Sequence, residues 1–311
     1  MKITLLYIFL FCGLLPELMG QSQVAITIDD VPNTHQYEKD GFKSRLLEQL
    51  DSLDLPVAIF INEGLLYKNT STKKNLVLLK QWAKRKYITL GNHTYRHSRY
   101  SQVGFHAFME DVEKGEKMLD KLALKYRKRL KYFRFPFNDL GEDSLQHAKI
   151  EQFLKAKDYQ ITPFTVESSD WMFNYLYEQY LEKGKTEEAK AIGKAYIDKT
   201  LALFDFFDSL SLKLYGRQIK QIYLCHDNTL NADYLATLVD KLQQKNYSFI
   251  SLEEALEDKV YESPDVYYKK WGVSWVYRWM TDSKERSRLM RSEPSVEEYY
   301  KTYQELSTAG E

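Results

Sequence analysis

Val24-Ala25-Ile26-Thr27-Ile28-Asp29-Asp30-Val31-Pro32 is an apolar run that stops at two adjacent carboxylates and a proline. The Val, Ile and Thr residues read as a strand. Neighbouring strand residues point to opposite faces, but the strand ends here, and a turn can aim both acids toward one cavity. Two acids at a strand end also suit a turn or a helix cap. The same kind of run recurs at 57–61, 87–90, 131–134, 160–166, 221–225 and 248–251. Amphipathic stretches at 42–54, 76–86 and 105–122 lie between them, with Phe42, Leu46, Leu47, Leu50 and Leu53 near the 3.6-residue period. Strand alternating with helix predicts an α/β fold with a parallel sheet. Seven strands over roughly 230 residues favour a distorted (β/α)7 barrel over an open sheet.

The 311 residues suffice for a substantial core, and 44 Lys+Arg balance 44 Asp+Glu, which removes the electrostatic signature of a nucleic-acid binder. Residues 1–20 combine Lys2, an apolar run at 3–15 and a small residue, Gly20, before Gln21. This is the pattern of a secretory signal peptide, and it predicts a periplasmic or extracellular protein. No later segment is apolar enough to span a membrane. Cys12 would leave with the leader, so Cys225, inside an apolar run, remains as a small buried residue without a disulfide partner. Residues 21–259 are read as the barrel, with a helical insertion at about 172–220. Residues 260–311 are read as an aromatic C-terminal extension packed on it. Trp271, Trp275 and Trp279 recur at i, i+4, i+8, which predicts one helix face that docks on the barrel or stacks sugars. Oligomeric state is not legible.

Five segments place polar residues at or just after a strand, the end that carries chemistry in β/α barrels. Asp29-Asp30 is the first. The second is His93-Thr94-Tyr95-Arg96-His97, whose His-x-x-x-His spacing puts two imidazoles on one face of a helical turn within reach of a single cation. Two histidines and a carboxylate leave a tetrahedral ion one open position, the catalytic arrangement. Arg134-Phe135-Pro136-Phe137 offers an arginine able to hold a carboxylate. Glu167-Ser168-Ser169-Asp170-Trp171 sets a carboxylate before an indole. Leu224-Cys225-His226-Asp227 delivers a histidine from an apolar strand.

Taken in order, these five segments resemble the polysaccharide deacetylases, carbohydrate esterase family 4, over about residues 24–256. The resemblance implies metal-dependent hydrolysis of acetyl groups on N-acetylated glycans. It implies one divalent ion, zinc by ligand type with cobalt or another divalent ion able to substitute, on Asp30, His93 and His97. Asp29 matches the general base, Arg134 its tether, His226 the general acid and Asp170 the group that orients it. The Phe137 N–H matches an oxyanion donor. Pro136, Phe137, Trp171 and Leu224 match the substrate-binding wall. Val31 stands where the family has glycine, and Glu167 where it has aspartate. An O-acetyl esterase on hemicellulose, a cyclic-amide hydrolase and a sugar-binding pseudoenzyme are the alternatives on this scaffold.

Overall fold

A computed structural model describes residues 21–308; residues 1–20, read above as a signal peptide and containing Cys12, lie outside the described residues. The strands are β1 (Ser22–Val31), β2 (Val57–Ile61), β3 (Ile88–Asn92), β4 (Tyr132–Phe133), β5 (Gln160–Ile161), β6 (Val166–Glu167), β7 (Gln221–His226) and β8 (Tyr247–Phe249). The helices are α1 (Thr34–Lys39), α2 (Arg45–Leu53), α3 (Thr72–Lys84), α4 (Tyr100–Tyr126), α5 (Ser144–Ala156), α6 (Asp170–Glu182), α7 (Thr186–Tyr215), α8 (Thr229–Gln244), α9 (Leu252–Leu256), α10 (Trp275–Arg278), α11 (Ser283–Met290) and α12 (Glu297–Thr308). Seven strands follow one path, β5-β4-β3-β2-β1-β7-β6, every pairing is parallel, and β8 pairs with the start of β1.

The run at 160–166 is not one strand. It breaks into β5 and β6, which sit at opposite ends of the strand path. Residues 162–165 alone join them, a link that reaches at most about 18 Å. The outer strands of a flat seven-stranded sheet would stand about 29 Å apart. The sheet therefore curls until its edges nearly meet, and the fold is a (β/α)7 barrel with one unpaired seam. The break follows from Thr162-Pro163: proline has no N–H to give a ladder.

The central strands β1, β2 and β7 are almost wholly buried, as their continuous apolar runs require. Three core clusters divide the interior, and Trp275 packs against all of them. It comes from the C-terminal segment. Its N–H donates to the Phe164 carbonyl at 2.9 Å, and the Ser274 hydroxyl donates to the Thr165 carbonyl at 2.6 Å. Segment 264–279 thus runs across the seam that β5 and β6 leave open. Trp271, Trp275 and Trp279 do not share a helix face, contrary to their spacing. Only α10 is helical there, Trp279 is buried, and Trp271 precedes the helix and is exposed. Contact with the seam overrides the local period. Among the described residues, no helix is long and apolar enough to cross a membrane.

Candidate active site

Both carboxylates of the opening run reach the same end of the barrel because β1 bulges there. Ile28 pairs with Ile59 and Val31 with Ile61, so Asp29 and Asp30 together oppose one residue of β2. The extra residue, with Asp30 in the left-handed region at φ 59°, cancels the alternation that would send one acid away. On its other edge β1 sets Asp29 in register with His226 of β7.

His93 and His97 follow β3, but not on a helical turn. Residues 93–99 form a loop with Thr94 at φ 65° and His97 at φ 60°. The loop lies against α4 at Gly115, where a Cβ would stand 2.8 Å from the Thr94 carbonyl carbon, so only glycine permits this approach. The two rings are 4.9 Å apart. His97 Nε2 lies 3.3 Å and His93 Nε2 3.8 Å from Asp30 Oδ1. Ligand atoms on a tetrahedral zinc are about 3.3–3.5 Å apart. The three groups therefore fit a divalent ion without rearrangement.

The electrostatics agree with that fit. His93 Nδ1 lies 2.8 Å from the Arg134 carbonyl, which can only accept, so Nδ1 carries the hydrogen and Nε2 is the ring atom turned toward Asp30. Burial, reinforced by His93 and His226, pushes His97 down to about 4 against the pull of Asp30. Its ring is neutral at pH 7 and available as a ligand. Asp30 is held below the usual carboxylate range: burial opposes the charge, and His97 and His93 outweigh it.

Arg134 is completely buried, and its pKa is pushed down by that burial against the attraction of Asp29. Nη1 lies 3.7 Å from Asp29 Oδ2, an ion pair too long for a hydrogen bond. Nη2 donates to the Thr27 hydroxyl at 3.1 Å and the Pro163 carbonyl at 3.3 Å. Asp29 is 2% exposed, and its Oδ1 has no hydrogen-bond partner among the described residues. A buried carboxylate oxygen left unpaired at a cavity is a costly arrangement that calls for a function.

Across the rim, Asp170 opens α6 and grips His226. His226 Nδ1 is 2.7 Å from Asp170 Oδ1. Asp170 Oδ2 accepts from the His226 N–H at 2.8 Å, Asn228 Nδ2 at 3.0 Å and Asn231 Nδ2 at 2.6 Å. Burial opposes the charge on Asp170, but His226 and these donors hold its pKa below the usual range. Burial likewise opposes the imidazolium, yet Asp170, with Asp30 and Asp29 behind it, holds His226 up at about 10. His226 is protonated at neutral pH.

A cavity of about 610 Å³ joins the two sides. It is lined by Asp29, Asp30, His93, His97, Phe137, Trp171, Leu224 and His226. Arg134 and Asp170 stand behind it. Pro136 is buried in its turn and does not line the cavity, which corrects its placement in the substrate wall. Phe137 is exposed, takes φ 57° and lays its ring 4.6 Å from His97. A second cavity of about 470 Å³ meets the same Asp30, His97 and Asp227 from the α1 side.

Asn228 and Asn231 escaped the sequence reading, although Asn228 caps α8 directly after His226-Asp227. Glu167 lines the cavity and is pushed up to about 7, first by burial and then by Asp170. Trp271 also lines it, from far along the chain. His147, Glu151 and Asp265 form another compact group. There the Arg278 guanidinium, 2.5 Å from Asp265 Oδ2, already supplies the cation, and the cluster ties α5 to the C-terminal segment.

Residues 18–153 match the family model described as polysaccharide deacetylase. A peptidoglycan-N-acetylglucosamine deacetylase of Bacillus cereus is 27% identical over 152 residues, 49% of this chain and 47% of that protein. The match thus spans about half the length of that relative. Among solved structures, the catalytic domain of peptidoglycan N-acetylglucosamine deacetylase from Eubacterium rectale shares 14% identity at a TM-score of 0.49, covering 75% of this chain and 89% of that one. A wild-type CE4 family pseudoenzyme from Bacillus anthracis shares 16% identity at 0.48, covering 76% and 66%. A family 4 carbohydrate esterase from Streptomyces lividans in complex with acetate shares 16% identity at 0.45, covering 75% and 95%.

Proposed function

We propose that this chain hydrolyses the acetamide of N-acetylglucosamine-containing glycans, releasing acetate and leaving a free amine. The observation that carries the reading is the unpaired, buried Asp29 Oδ1 beside the Asp30, His93 and His97 cluster. Those three residues would hold one divalent ion, zinc on ligand type. Bound there, such an ion polarises a carbonyl and lowers the pKa of a water from about 16 toward about 7.

Asp29 is free to take the proton of the attacking water because Asp30 is committed to the two imidazoles and Arg134 holds the far side of Asp29. Oxygen bonds to the acetyl carbon, and the Phe137 N–H receives the developing oxyanion charge. The C–N bond then breaks, and the protonated His226, held by Asp170, gives its proton to the departing nitrogen. Leu224 and Trp171 border the acetyl group. Read with the leader-like residues 1–20, this chemistry belongs outside the cytoplasm, on an exported or surface glycan.

The test is acetate release from a panel of N-acetylated and O-acetylated glycans, with and without a chelator. Release from N-acetylglucosamine oligomers that stops on chelation and returns with zinc is expected. Bound metal with no turnover on any acetylated glycan overturns the reading in favour of a sugar-binding protein.

A further inference from the structure

The C-terminal segment brings one exposed indole to the mouth of the cavity. Trp271 is 57% exposed, whereas Trp279, eight positions on, is 9% exposed and packed. An indole at a cavity mouth offers a ligand a flat apolar face and one N–H donor. The chain around it is pinned on every side. Lys270 Nζ sits 2.7 Å from Glu142 Oε1 and 5.5 Å from the Trp271 ring centre. At Gly272 a Cβ would stand 2.5 Å from the Phe137 carbonyl oxygen, so this backbone lies directly on the Phe137 turn. The Val273 N–H donates back to the Trp271 carbonyl at 3.0 Å, and Ser274 and Trp275 bond to the seam at Thr165 and Phe164. The backbone that carries the indole is held in place before any ligand arrives, so less ordering entropy is lost on contact than on a free loop.

Its location selects the ligand. Gly272 packs on Phe137, and Phe137 lays its ring on His97. Trp271, the residue before Gly272, therefore stands beside the Phe137 turn, while Phe137 is the ring laid on His97, and it shares the cavity with Asp29, Leu224 and His226. That offset suits a neighbouring ring of a polymer rather than the ring that loses its acetyl group. We propose that Trp271 is a stacking platform for the pyranose adjacent to the reacting sugar, and that it makes the site favour oligomers over monosaccharide. The proposal rests on the deacetylase reading for which sugar reacts, but the platform lies outside the family-matched span of 18–153.

The test compares wild type, Trp271→Ala and Trp271→Phe on N-acetylglucosamine oligomers of increasing length. Acetate release gives KM and kcat, and calorimetric titration of metal-free protein gives binding. In Trp271→Ala the KM for the tetramer rises about tenfold, the KM for the monomer rises less, and kcat stays near the wild-type value. Trp271→Phe recovers most of the loss. An equal proportional change at every length, or no change, overturns the platform. If wild type releases no acetate yet binds tetramer better than monomer, and Trp271→Ala abolishes that preference, the deacetylase reading falls and the platform stands. A length preference that survives Trp271→Ala sinks the platform whatever the turnover.

Discussion

Two sides of one rim hold their histidines in opposite ways. At β3, the Nδ1 of His93 faces the backbone carbonyl of Arg134 at 2.8 Å; at β7, the Nδ1 of His226 faces the carboxylate of Asp170 at 2.7 Å. The lengths are nearly equal, and the chemistry differs because the acceptor differs. A carbonyl fixes which nitrogen carries the hydrogen and leaves the other as a lone pair. A carboxylate adds a full negative charge that stabilises the imidazolium. One rim thus offers a ligand and a proton donor from the same side chain, and the partner of Nδ1 decides which.

The most damaging change removes the ligand side. His97→Ala or Asp30→Ala lowers bound divalent metal, read by elemental analysis, and activity by about 10³-fold or more. Full metal content in either variant would break the comparison at its first half. Asp170→Asn attacks the second half: kcat falls by at least about 10²-fold while metal stays bound, and His226→Ala and Asp29→Asn fall by a similar factor. The pH dependence has a definite sign. The folded pKa of His226, about 10, lies above its unfolded value near 6.5. Its stabilising contribution is complete below the unfolded value and is lost as pH rises through about 10. In Asp170→Asn that transition moves to lower pH, and an NMR titration of the imidazole that shows no move refutes the charge argument. A smaller effect sharpens where the rim ends. Gly272→Ala forces a Cβ toward the Phe137 carbonyl and lowers stability by about 1–3 kcal/mol in denaturant melts. Smallest is Glu142→Gln, which releases Lys270 from a surface pair whose side chains are 39% and 51% exposed; a change above about 1 kcal/mol would contradict its exposure.

The strand ends were legible because each apolar run stops at a polar residue. The five polar segments share one placement, at or just after a strand, and that placement is readable from the residue types alone. The way each side chain reaches that rim was less legible. The His-x-x-x-His spacing suggests a helical turn, but positive φ at Thr94 and His97 delivers the same proximity from a loop. Local spacing cannot distinguish the two, since what bends the loop is Gly115 on another element. The Asp29-Asp30 bulge was equally hidden, being a relation between β1 and β2 and not a property of β1. Residues 160–166 looked like one strand from their β-formers, yet the seam falls within them at Pro163. The tryptophans at 271, 275 and 279 mislead for a related reason: their spacing is helical, but their anchors are Phe164 and Thr165, more than a hundred positions earlier.

The seam sets an order on assembly. Strands β1 to β7 can pair as they emerge, but the tryptophan that caps their open edge is residue 275. While the chain is being made from its amino end, the apolar interior stays wet on that side until only the last 36 of the 311 residues remain unmade. Biogenesis therefore finishes at the wall rather than at the candidate site, and a polypeptide interrupted after β8 would carry Asp29, Asp30, His93, His97 and His226 inside a barrel that leaks.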